Sequence, residues 1–256
     1  MFLNPTITYI AQVLYRDRKD LFGIKQNDRL LHTYIIGKTG TGKSTLLKNL
    51  MLQDVYHHHG FMLLDPHGDL VESIYNKIPE NRLNDTIYIN LPDVNMQYRY
   101  NPLKHVSPAK RSLVASGLLE VFQRLFASAW GVRMEHILRY IILTLLEQPQ
   151  ASIRDIYTIL HDTDFQLFWE QEFAKYTKAD LLPILNKIGS FLAHPVITKV
   201  LIDNPKEISL RKAMDTKQIV LVNLSKGYLG EDVSRILGSL LVTSLSSATF
   251  SRVDTE

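Results

Sequence analysis

Four short runs of apolar residues, each bounded by polar or turn-forming residues, stand out in the hydrophobic pattern of the chain. They lie at Thr33–Ile36, Phe61–Leu64, Thr86–Leu91 and Gln218–Asn223. Runs that are apolar at nearly every position are typical of strands buried on both faces, as in a parallel sheet covered by helices. The pattern therefore predicts an α/β fold with a mainly parallel sheet.

Between and after these runs, apolar residues recur with a helical period. Lys43–Tyr56 follows the first run and Leu70–Ile78 follows the second. Ser107 and Pro108 form a typical helix start, after which no strand pattern appears for about a hundred residues. The helices predicted there are 107–125, Val132–Leu146, Ser152–Leu160, 164–176 and Leu181–Phe191, with a weaker stretch to Leu201. A long helix is predicted at Glu231–Arg252.

These patterns divide the chain into four segments. Residues 1–30 are an N-terminal lead-in, in which Ile7, Ile10, Ala11 and Leu14 predict a short helix. Residues 31–106 hold the first part of a sheet-containing core, and 107–203 form an all-helical insertion. Residues 204–256 return to the core.

Composition narrows the class of protein without deciding it. The chain has 256 residues, 45% of them hydrophobic, a net charge of +3 and no cysteine. The charge permits a nucleic-acid partner without requiring one. The missing cysteines exclude disulfides and thiolate chemistry and fit a cytoplasmic location. No run matches the roughly 20 apolar residues of a membrane span, and no signal-peptide pattern is present, so we expect no direct membrane span.

The strongest chemical signal follows the first apolar run. Gly37, Lys38, Thr39, Gly40, Thr41, Gly42, Lys43 and Ser44 read GxxxxGKS, and Thr45 continues into the helix. In such a P-loop, backbone N–H groups and a helix N-terminus surround phosphate oxygens. Lys43 then contacts the β- and γ-phosphates, and the Ser44 hydroxyl binds Mg²⁺. We therefore predict that residues 37–45 bind a nucleoside triphosphate such as ATP, with Mg²⁺.

The second apolar run ends in an acidic turn, Asp65-Pro66-His67-Gly68-Asp69. Asp65 lies at a strand end, where ligands gather in open α/β sheets. It is either a catalytic and Mg²⁺-binding carboxylate or a cap of its own turn. For His67 and Asp69, local hydrogen bonding is the favoured interpretation. For the three histidines 57–59, a solvated helix end is favoured over a metal site.

The P-loop GKTGTGKS, followed about twenty residues later by LLDPHGDL, resembles the HerA/FtsK-like ATPases. Within them, it is most similar to the DNA-binding ATPases of conjugation and type IV secretion. FGIKQNDRLLH and IVLVNLSKGYLGEDVSRILGSLL extend the resemblance over most of the chain. The resemblance implies a RecA-like P-loop NTPase core with an all-helical insertion, six subunits in a ring and ATP-driven movement of DNA. It also implies phosphate and Mg²⁺ roles for Lys43 and Ser44, and places Asp65 in the family's acidic turn.

One departure from that family concerns catalysis. In the family, an apolar strand ending in Asp-Glu follows the helix that here ends at Ser251-Arg252, and this sequence stops before it. We therefore expect a C-terminally truncated chain that binds ATP with little turnover, because loss of a general base costs about 10²- to 10⁴-fold. Arg133, Arg235 and Arg252 are candidate phosphate sensors, although solvated helix arginines are the favoured interpretation. Trp130, Tyr140 and Trp169 are expected to pack in cores rather than stack on bases.

Three hypotheses remain open from the sequence. The first is an ATPase motor domain that moves DNA in conjugation or type IV secretion, forms a homo-hexamer when full length and meets membrane-bound partners of the secretion or conjugation machinery. The second is a nucleotide-binding assembly module without turnover. The third is a motor whose cargo is protein.

Overall fold

The structure is a computed structural model that describes residues 4–104, 106–161 and 176–252. The chain divides into two compact units. The first unit comprises residues 1–89 and 213–223, and the second comprises residues 90–212 and 224–256. The segment boundaries at residues 30, 106 and 203 stay predictions from the sequence pattern.

The first unit is an α/β structure with an added N-terminal hairpin. Its strands are β1 (Ile7–Gln12), β2 (Leu21–Lys25), β3 (Phe61–Asp65), β4 (Thr86–Asn90) and the late strand β7 (Ile219–Asn223). Its helices are α1 (Lys43–Tyr56), α2 (Asp69–Tyr75) and α3 (Glu80–Leu83), with a 3₁₀ turn at Gln26–Leu30.

The second unit is mainly helical. Its elements are β5 (Tyr98–Arg99), α4 (Arg111–Leu125), α5 (Val132–Leu145), α6 (Asp155–His161), α7 (Lys178–Leu192), α8 (Pro195–Thr198), β6 (Lys206–Glu207), α10 (Lys226–Leu229) and α11 (Glu231–Ser251). Helix α9 (Leu210–Asp215) leads from this unit back to the first. Short 3₁₀ turns lie at Pro108–Lys110 and Ala127–Ala129, and a π-helical turn lies at Lys199–Asp203.

The sheet of the first unit confirms three of the four predicted strands. Strands β3 and β7 pair in parallel, from Phe61 opposite Ile219 to Asp65 opposite Asn223. Strand β4 lies on the other side of β7, and the Ile219 N–H donates to the Asp85 carbonyl at 2.9 Å. All five residues of β7 are buried. The core around it contains Val55, Val71, Ile74, Ile78, Ile219 and Leu221. This strand is buried on both faces, as its unbroken apolar run predicts.

The strand predicted at Thr33–Ile36 is absent. These residues have no regular secondary structure, and the side chains of Tyr34 and Ile36 are 87% and 79% exposed. Among the described residues, no strand pairs with this segment. The prediction was wrong because a strand needs a partner for its backbone hydrogen bonds, and an apolar pattern does not supply one.

The short helix predicted in the lead-in is also wrong. Residues 7–12 form the first strand of an antiparallel hairpin with β2. Ile7, Thr8 and Ile10 are β-branched, and such residues favour strands once a partner strand is present. Gly23 lies so close to the Thr8 backbone that any side chain there would overlap the Thr8 carbonyl.

Arg82 joins the sheet to the end of α1 through a buried guanidinium that is only 2% exposed. It donates to the carbonyls of Val55 at 3.1 Å, Lys217 at 3.3 Å and His59 at 3.4 Å. It also lies 3.4 Å from the Asp85 carboxylate. A charge buried this deeply needs such partners, so Arg82 fixes the positions of the elements that begin β3 and β7.

The described residues of 107–161 and 176–203 contain helices and turns without any strand, as predicted. The prediction at 164–176 falls almost entirely outside the described residues. Helices α4 and α11 approach closely, since a Cβ on Gly117 would overlap the Thr243 side chain. Arg211 donates to the Ser251 carbonyl at 2.6 Å and so caps the end of α11.

Within the described part of the chain, α11 is the only single helix long and apolar enough to cross a membrane. The bent pair Lys178–Leu192 and Pro195–Asp203 passes the same test only when taken as one span. Six residues in the first half of α11 are buried in the second unit: Val233, Ser234, Ile236, Leu237, Leu240 and Leu241. Core helices of globular domains share this length and composition, so the observation is weak support for a span.

Candidate nucleotide-binding site

Residues 37–42 form an exposed loop that leads directly into α1. Gly40 and Gly42 have φ values of 81° and 92°, in the left-handed region that favours glycine. A Cβ at either position would meet no atom within 4 Å. The glycines are therefore required by backbone conformation, and space around them stays free for a ligand.

The Lys43 side chain folds back over this loop. Its Nζ atom donates to the carbonyls of Gly37 and Lys38, both at 2.7 Å. The Thr41 hydroxyl donates to the same Lys38 carbonyl at 2.8 Å. The three bonds close the loop on itself and hold the ammonium group where the loop curves.

The N-terminus of α1 is open. No side chain caps Gly42, so the first N–H groups of this 14-residue helix have no capping acceptor. Ser44 and Thr45 are exposed, and within the described residues their hydroxyls have no hydrogen-bond partner. Backbone donors, an ammonium group and a free hydroxyl together suit a phosphate with a bound divalent cation.

Asp65 lies at the end of β3 and is 6% exposed. One carboxylate oxygen accepts from the His67 N–H at 3.0 Å. The other accepts from the N–H groups of Leu70 at 2.8 Å and Val71 at 3.2 Å. The carboxylate thus caps the turn that starts α2, which is one of its two predicted roles, and its Mg²⁺ and catalytic roles stay predictions.

Asn223 lies beside Asp65 at the end of the paired strand. Gly68 has a φ of 91°, and a Cβ there would lie 2.6 Å from the Asn223 Oδ1 atom. The Asn223 side chain therefore packs directly on the turn that Asp65 caps. The sequence places Asn223 at a strand end, but only the strand register shows this contact.

The structure corrects the interpretation of His67 and Asp69. Both are exposed, and within the described residues neither side chain forms a hydrogen bond. The local hydrogen bond of His67 is made by its backbone N–H to Asp65, and not by its side chain.

The three histidines 57–59 directly follow α1. No group of metal-binding side chains occurs in the described parts of the chain. Helix α1 ends at Tyr56, and His58 just beyond it has a left-handed conformation, φ 58°. Gly60 packs against the chain just before β7, where a Cβ would lie 2.6 Å from the Lys217 backbone.

Two contacts attach the N-terminal hairpin and the 3₁₀ turn that follows it to α1, and sequence reasoning missed both. The Gln53 side chain accepts from the Tyr9 N–H at 2.8 Å and donates to the Tyr9 carbonyl at 2.9 Å. Asp54, which is 4% exposed, pairs with Arg29 at 2.7 Å. The hydrogen bond that Arg29 donates to Asp54 raises the pKa of Arg29 against the opposing effect of burial. These side-chain contacts span more than twenty residues of sequence, so no local pattern reveals them.

The other predicted candidates lie in the second unit. Arg133 pairs with Asp180 at 2.8 Å, and Arg235 pairs with Glu231 at 3.3 Å. Both arginines are more than half exposed, which agrees with solvated helix residues. Arg252 is half-buried at the end of α11.

Trp130 and Tyr140 are half-buried, with the Trp130 Nε1 donating to Glu135 at 3.4 Å and Tyr140 packing on His136. Trp169 lies outside the described residues.

The glycine loop before α1 and the parallel strands β3 and β7 define an α/β P-loop NTPase fold. Solved structures of a bacterial conjugative coupling protein, TrwB, share it. The unbound form TrwBdeltaN70 matches with a TM-score of 0.55 and 18% identity over 84% of this chain and 50% of that one. TrwB with the ATP analogue ADPNP matches with a TM-score of 0.51 and 18% identity over 81% of this chain and 51% of that one. TrwB with the GTP analogue GDPNP matches with a TM-score of 0.54 and 19% identity over 84% of this chain and 51% of that one. The RecA-like fold class is thereby confirmed.

A family model described as "Helicase HerA, central domain" matches residues 27–244. The chain belongs to this family, as its resemblance to the HerA/FtsK-like ATPases implies. No curated protein matches the chain. The chain spans about half the length of the TrwB structures that it matches.

Proposed function

We propose that this chain is the ATP-binding domain of a DNA-translocating motor ATPase, in which ATP hydrolysis drives DNA transfer in conjugation or type IV secretion. The observation that carries the proposal is the P-loop in a chain that matches the HerA central domain over residues 27–244. Likeness to a conjugative coupling protein supports the transfer role.

ATP with Mg²⁺ is the proposed ligand. The residues that would hold the phosphates are the loop Gly37–Gly42, the first turn of α1 and Lys43. Lys43 would exchange its two loop carbonyls for phosphate oxygens. Ser44 would bind Mg²⁺, which when bound neutralises charge on the β- and γ-phosphates. Ser44 fits this role because its hydroxyl is exposed and Mg²⁺ prefers oxygen ligands.

Turnover by this chain is expected to be slow. The sequence contains no Asp-Glu pair at the end of an apolar strand, and Asp65 already accepts three backbone hydrogen bonds.

We further propose DNA as partner, a homo-hexamer as the assembly of the full-length protein, membrane-bound secretion or conjugation proteins as contacts and a cytoplasmic location. Two alternative functions predict different results for ATP turnover and DNA binding. A non-hydrolysing assembly module would bind ATP and oligomerise without turnover. A protein-secretion motor would turn over ATP without salt-sensitive binding to DNA.

The test of the P-loop assignment compares ATP binding by the wild type, Lys43→Ala and a matched control, Lys48→Ala, by calorimetry with Mg²⁺. We expect binding by the wild type and the control and at least about a hundredfold loss in Lys43→Ala, because a charged contact to phosphate disappears. Equal affinity for all three proteins would contradict the assignment.

DNA binding is tested separately, by measuring affinity for single- and double-stranded DNA over a series of salt concentrations. A DNA motor should lose affinity steeply as salt rises, since phosphate contacts release counterions. Absence of binding even at low salt would favour a protein cargo.

A further inference from the structure

The turn at the start of the P-loop is closed by the side chain of Thr41. Gly40 has a φ of 81°, as the third residue of a type II turn requires. The backbone bond across this turn, from the Thr41 N–H to the Lys38 carbonyl, is long at 3.4 Å. The Thr41 hydroxyl donates to the same carbonyl at 2.8 Å. The side chain therefore makes the stronger of the two bonds across the turn.

Gly37, the first glycine of the loop, makes room for this hydroxyl. Unlike Gly40 and Gly42, it does not have a positive φ, so its backbone conformation is open to other residues. A Cβ on Gly37 would lie 2.5 Å from the Thr41 Oγ1 atom. The next nearest atom, the Lys43 Cγ, would lie at 3.5 Å, which is an ordinary contact. The missing side chain at Gly37 therefore serves the position of the Thr41 hydroxyl.

The Lys38 carbonyl is shared between Thr41 and Lys43. The Lys43 Nζ atom donates to it at 2.7 Å, so the hydroxyl and the ammonium group together fill the two lone pairs of this oxygen. When Lys43 turns to phosphate oxygens, its ammonium group leaves the Lys38 carbonyl. The Thr41 hydroxyl is then the only short hydrogen bond that this loop supplies to the carbonyl, and the turn depends on it.

We propose that Thr41 is a positioning residue that keeps the turn Lys38–Thr41 closed while ATP is bound, an inference that rests on the proposed function. The Thr41 hydroxyl acts through the Lys38 carbonyl rather than by touching a phosphate, and Gly37 is needed to admit it. A loop that already has its binding shape loses less conformational freedom when the ligand arrives, so its affinity for ATP is higher.

The first experiment measures ATP affinity by calorimetry, with Mg²⁺, for the full chain and its variants at Thr41. Thr41→Val and Thr41→Ala should each weaken binding about three- to tenfold, the range expected for one hydrogen bond. Thr41→Ser keeps the hydroxyl and should bind like the wild type. Thr144→Val is the matched control, because it also removes a threonine hydroxyl that donates to a backbone carbonyl, at 3.0 Å, but in α5. It should bind like the wild type.

Two outcomes of this experiment would overturn the proposal. If Thr41→Val binds ATP like the wild type, the hydroxyl has no role in binding, even when Thr41→Ala is weaker, because the loss would then come from packing. If Thr41→Ser is as weak as Thr41→Val, the methyl group rather than the hydroxyl matters. Recovery of affinity by serine alone is the result that a purely packing role would not produce.

A double-mutant cycle tests the role of Gly37. Gly37→Ala should weaken ATP binding in the wild-type background, because the added Cβ displaces the Thr41 hydroxyl. In the Thr41→Ala background no Oγ1 atom is present to be displaced, so the same change should weaken binding much less. Residues in direct contact show this kind of non-additivity. Equal losses in the two backgrounds would overturn the role assigned to Gly37.

A measurement without nucleotide separates this proposal from the proposed function. The ¹³C chemical shift of the Lys38 carbonyl, measured by NMR, should change in Thr41→Val and Thr41→Ala and stay at the wild-type value in Thr41→Ser. If the wild type binds no ATP, the proposed function fails, and the carbonyl shift still decides whether Thr41 closes the turn. If the wild type binds ATP and the shift is the same in Thr41→Val, the hydrogen bond is absent in solution and the proposal is wrong.

Discussion

Two segments of the first unit share one sequence pattern and have opposite environments. Strand β7 and Thr33–Ile36 are both short, uncharged and rich in β-branched or aromatic residues. Leu221 and Val222 are completely buried, whereas Tyr34 is 87% exposed. The difference lies in their neighbours, since β7 has a strand on each side and the other segment has none among the described residues. An apolar pattern thus indicates that a segment can be buried, but its burial requires neighbouring strands.

The largest expected effect comes from truncating one side chain in each segment. Leu221→Ala should lower the free energy of unfolding by about 2 to 5 kcal/mol, because it leaves a cavity in the sheet core. Tyr34→Ala should change it by less than about 0.5 kcal/mol, because the side chain is exposed. Urea unfolding measures both. Similar losses for the two variants would show that Tyr34 is buried in solution.

An intermediate effect is expected at the end of β3. Asp65→Asn turns one carboxylate oxygen into an amide nitrogen, which is a donor. Depending on the orientation of the side chain, this nitrogen replaces either the oxygen that accepts two backbone N–H groups or the oxygen that accepts one. The free energy of unfolding should fall by about 1 to 3 kcal/mol, the cost of unsatisfied buried donors. Asp69→Asn is the matched control, because Asp69 is exposed in the same turn.

The same Asp65→Asn variant separates the two predicted roles of this residue. If Asp65 only caps its turn, the affinity for Mg²⁺-ATP should match that of the wild type under conditions where the variant is folded. A large loss of Mg²⁺-dependent affinity without loss of stability would assign it to the metal site.

The smallest effect concerns the short ladder in the second unit, where β5 and β6 pair over two residues. Burial tends to raise the pKa of Glu207, but hydrogen bonds from Lys104 at 2.9 Å and Arg99 at 2.7 Å outweigh it, and the pKa is lowered below 4.5. A lowered pKa in the folded state means that the carboxylate stabilises the fold above the unfolded pKa. This contribution disappears as pH falls through the folded pKa.

Glu207→Gln should therefore be less stable than the wild type at neutral pH, and the difference should shrink below about pH 4.5. Thermal unfolding from pH 7 to pH 3 measures it. Glu147→Gln, whose carboxylate is 61% exposed beside Arg111, should show little difference at any pH. A stability difference between the wild type and Glu207→Gln that increases as the pH falls would contradict the lowered pKa of Glu207.

Much of the fold could be predicted from the sequence because local hydrophobic patterns specify many of its helices and strands. The strands β3, β4 and β7 and the helices α1, α5 and α11 follow their apolar periods to within a few residues. The hairpin was missed because Ile7, Ile10 and Leu14 also fit a helical spacing. Only the presence of Leu21–Lys25 as a partner decides for a strand.

The candidate site shows the same limit. The P-loop is recognisable because its function depends on backbone conformation, which glycines at fixed spacing specify. Three other contacts depend on three-dimensional geometry: the hydrogen bonds from Lys43 to its own loop, the packing of Asn223 on Gly68 and the hydrogen bonds between Gln53 and Tyr9. No spacing rule predicts these contacts, since they join side chains to particular backbone atoms.

The first unit is assembled from residues 1–89 and 213–223, and this order has a consequence for synthesis on the ribosome. β7, the middle strand of its sheet, is made only after residues 90–212. Until then β3 and β4 have no strand between them, and Arg82 lacks its bond to Lys217. Translation at about 5 to 20 residues per second leaves helices α4 to α8 several seconds to form before β7 is made. The nascent chain therefore cannot complete the first unit, although that unit begins at the N-terminus, until most of the second unit has been made.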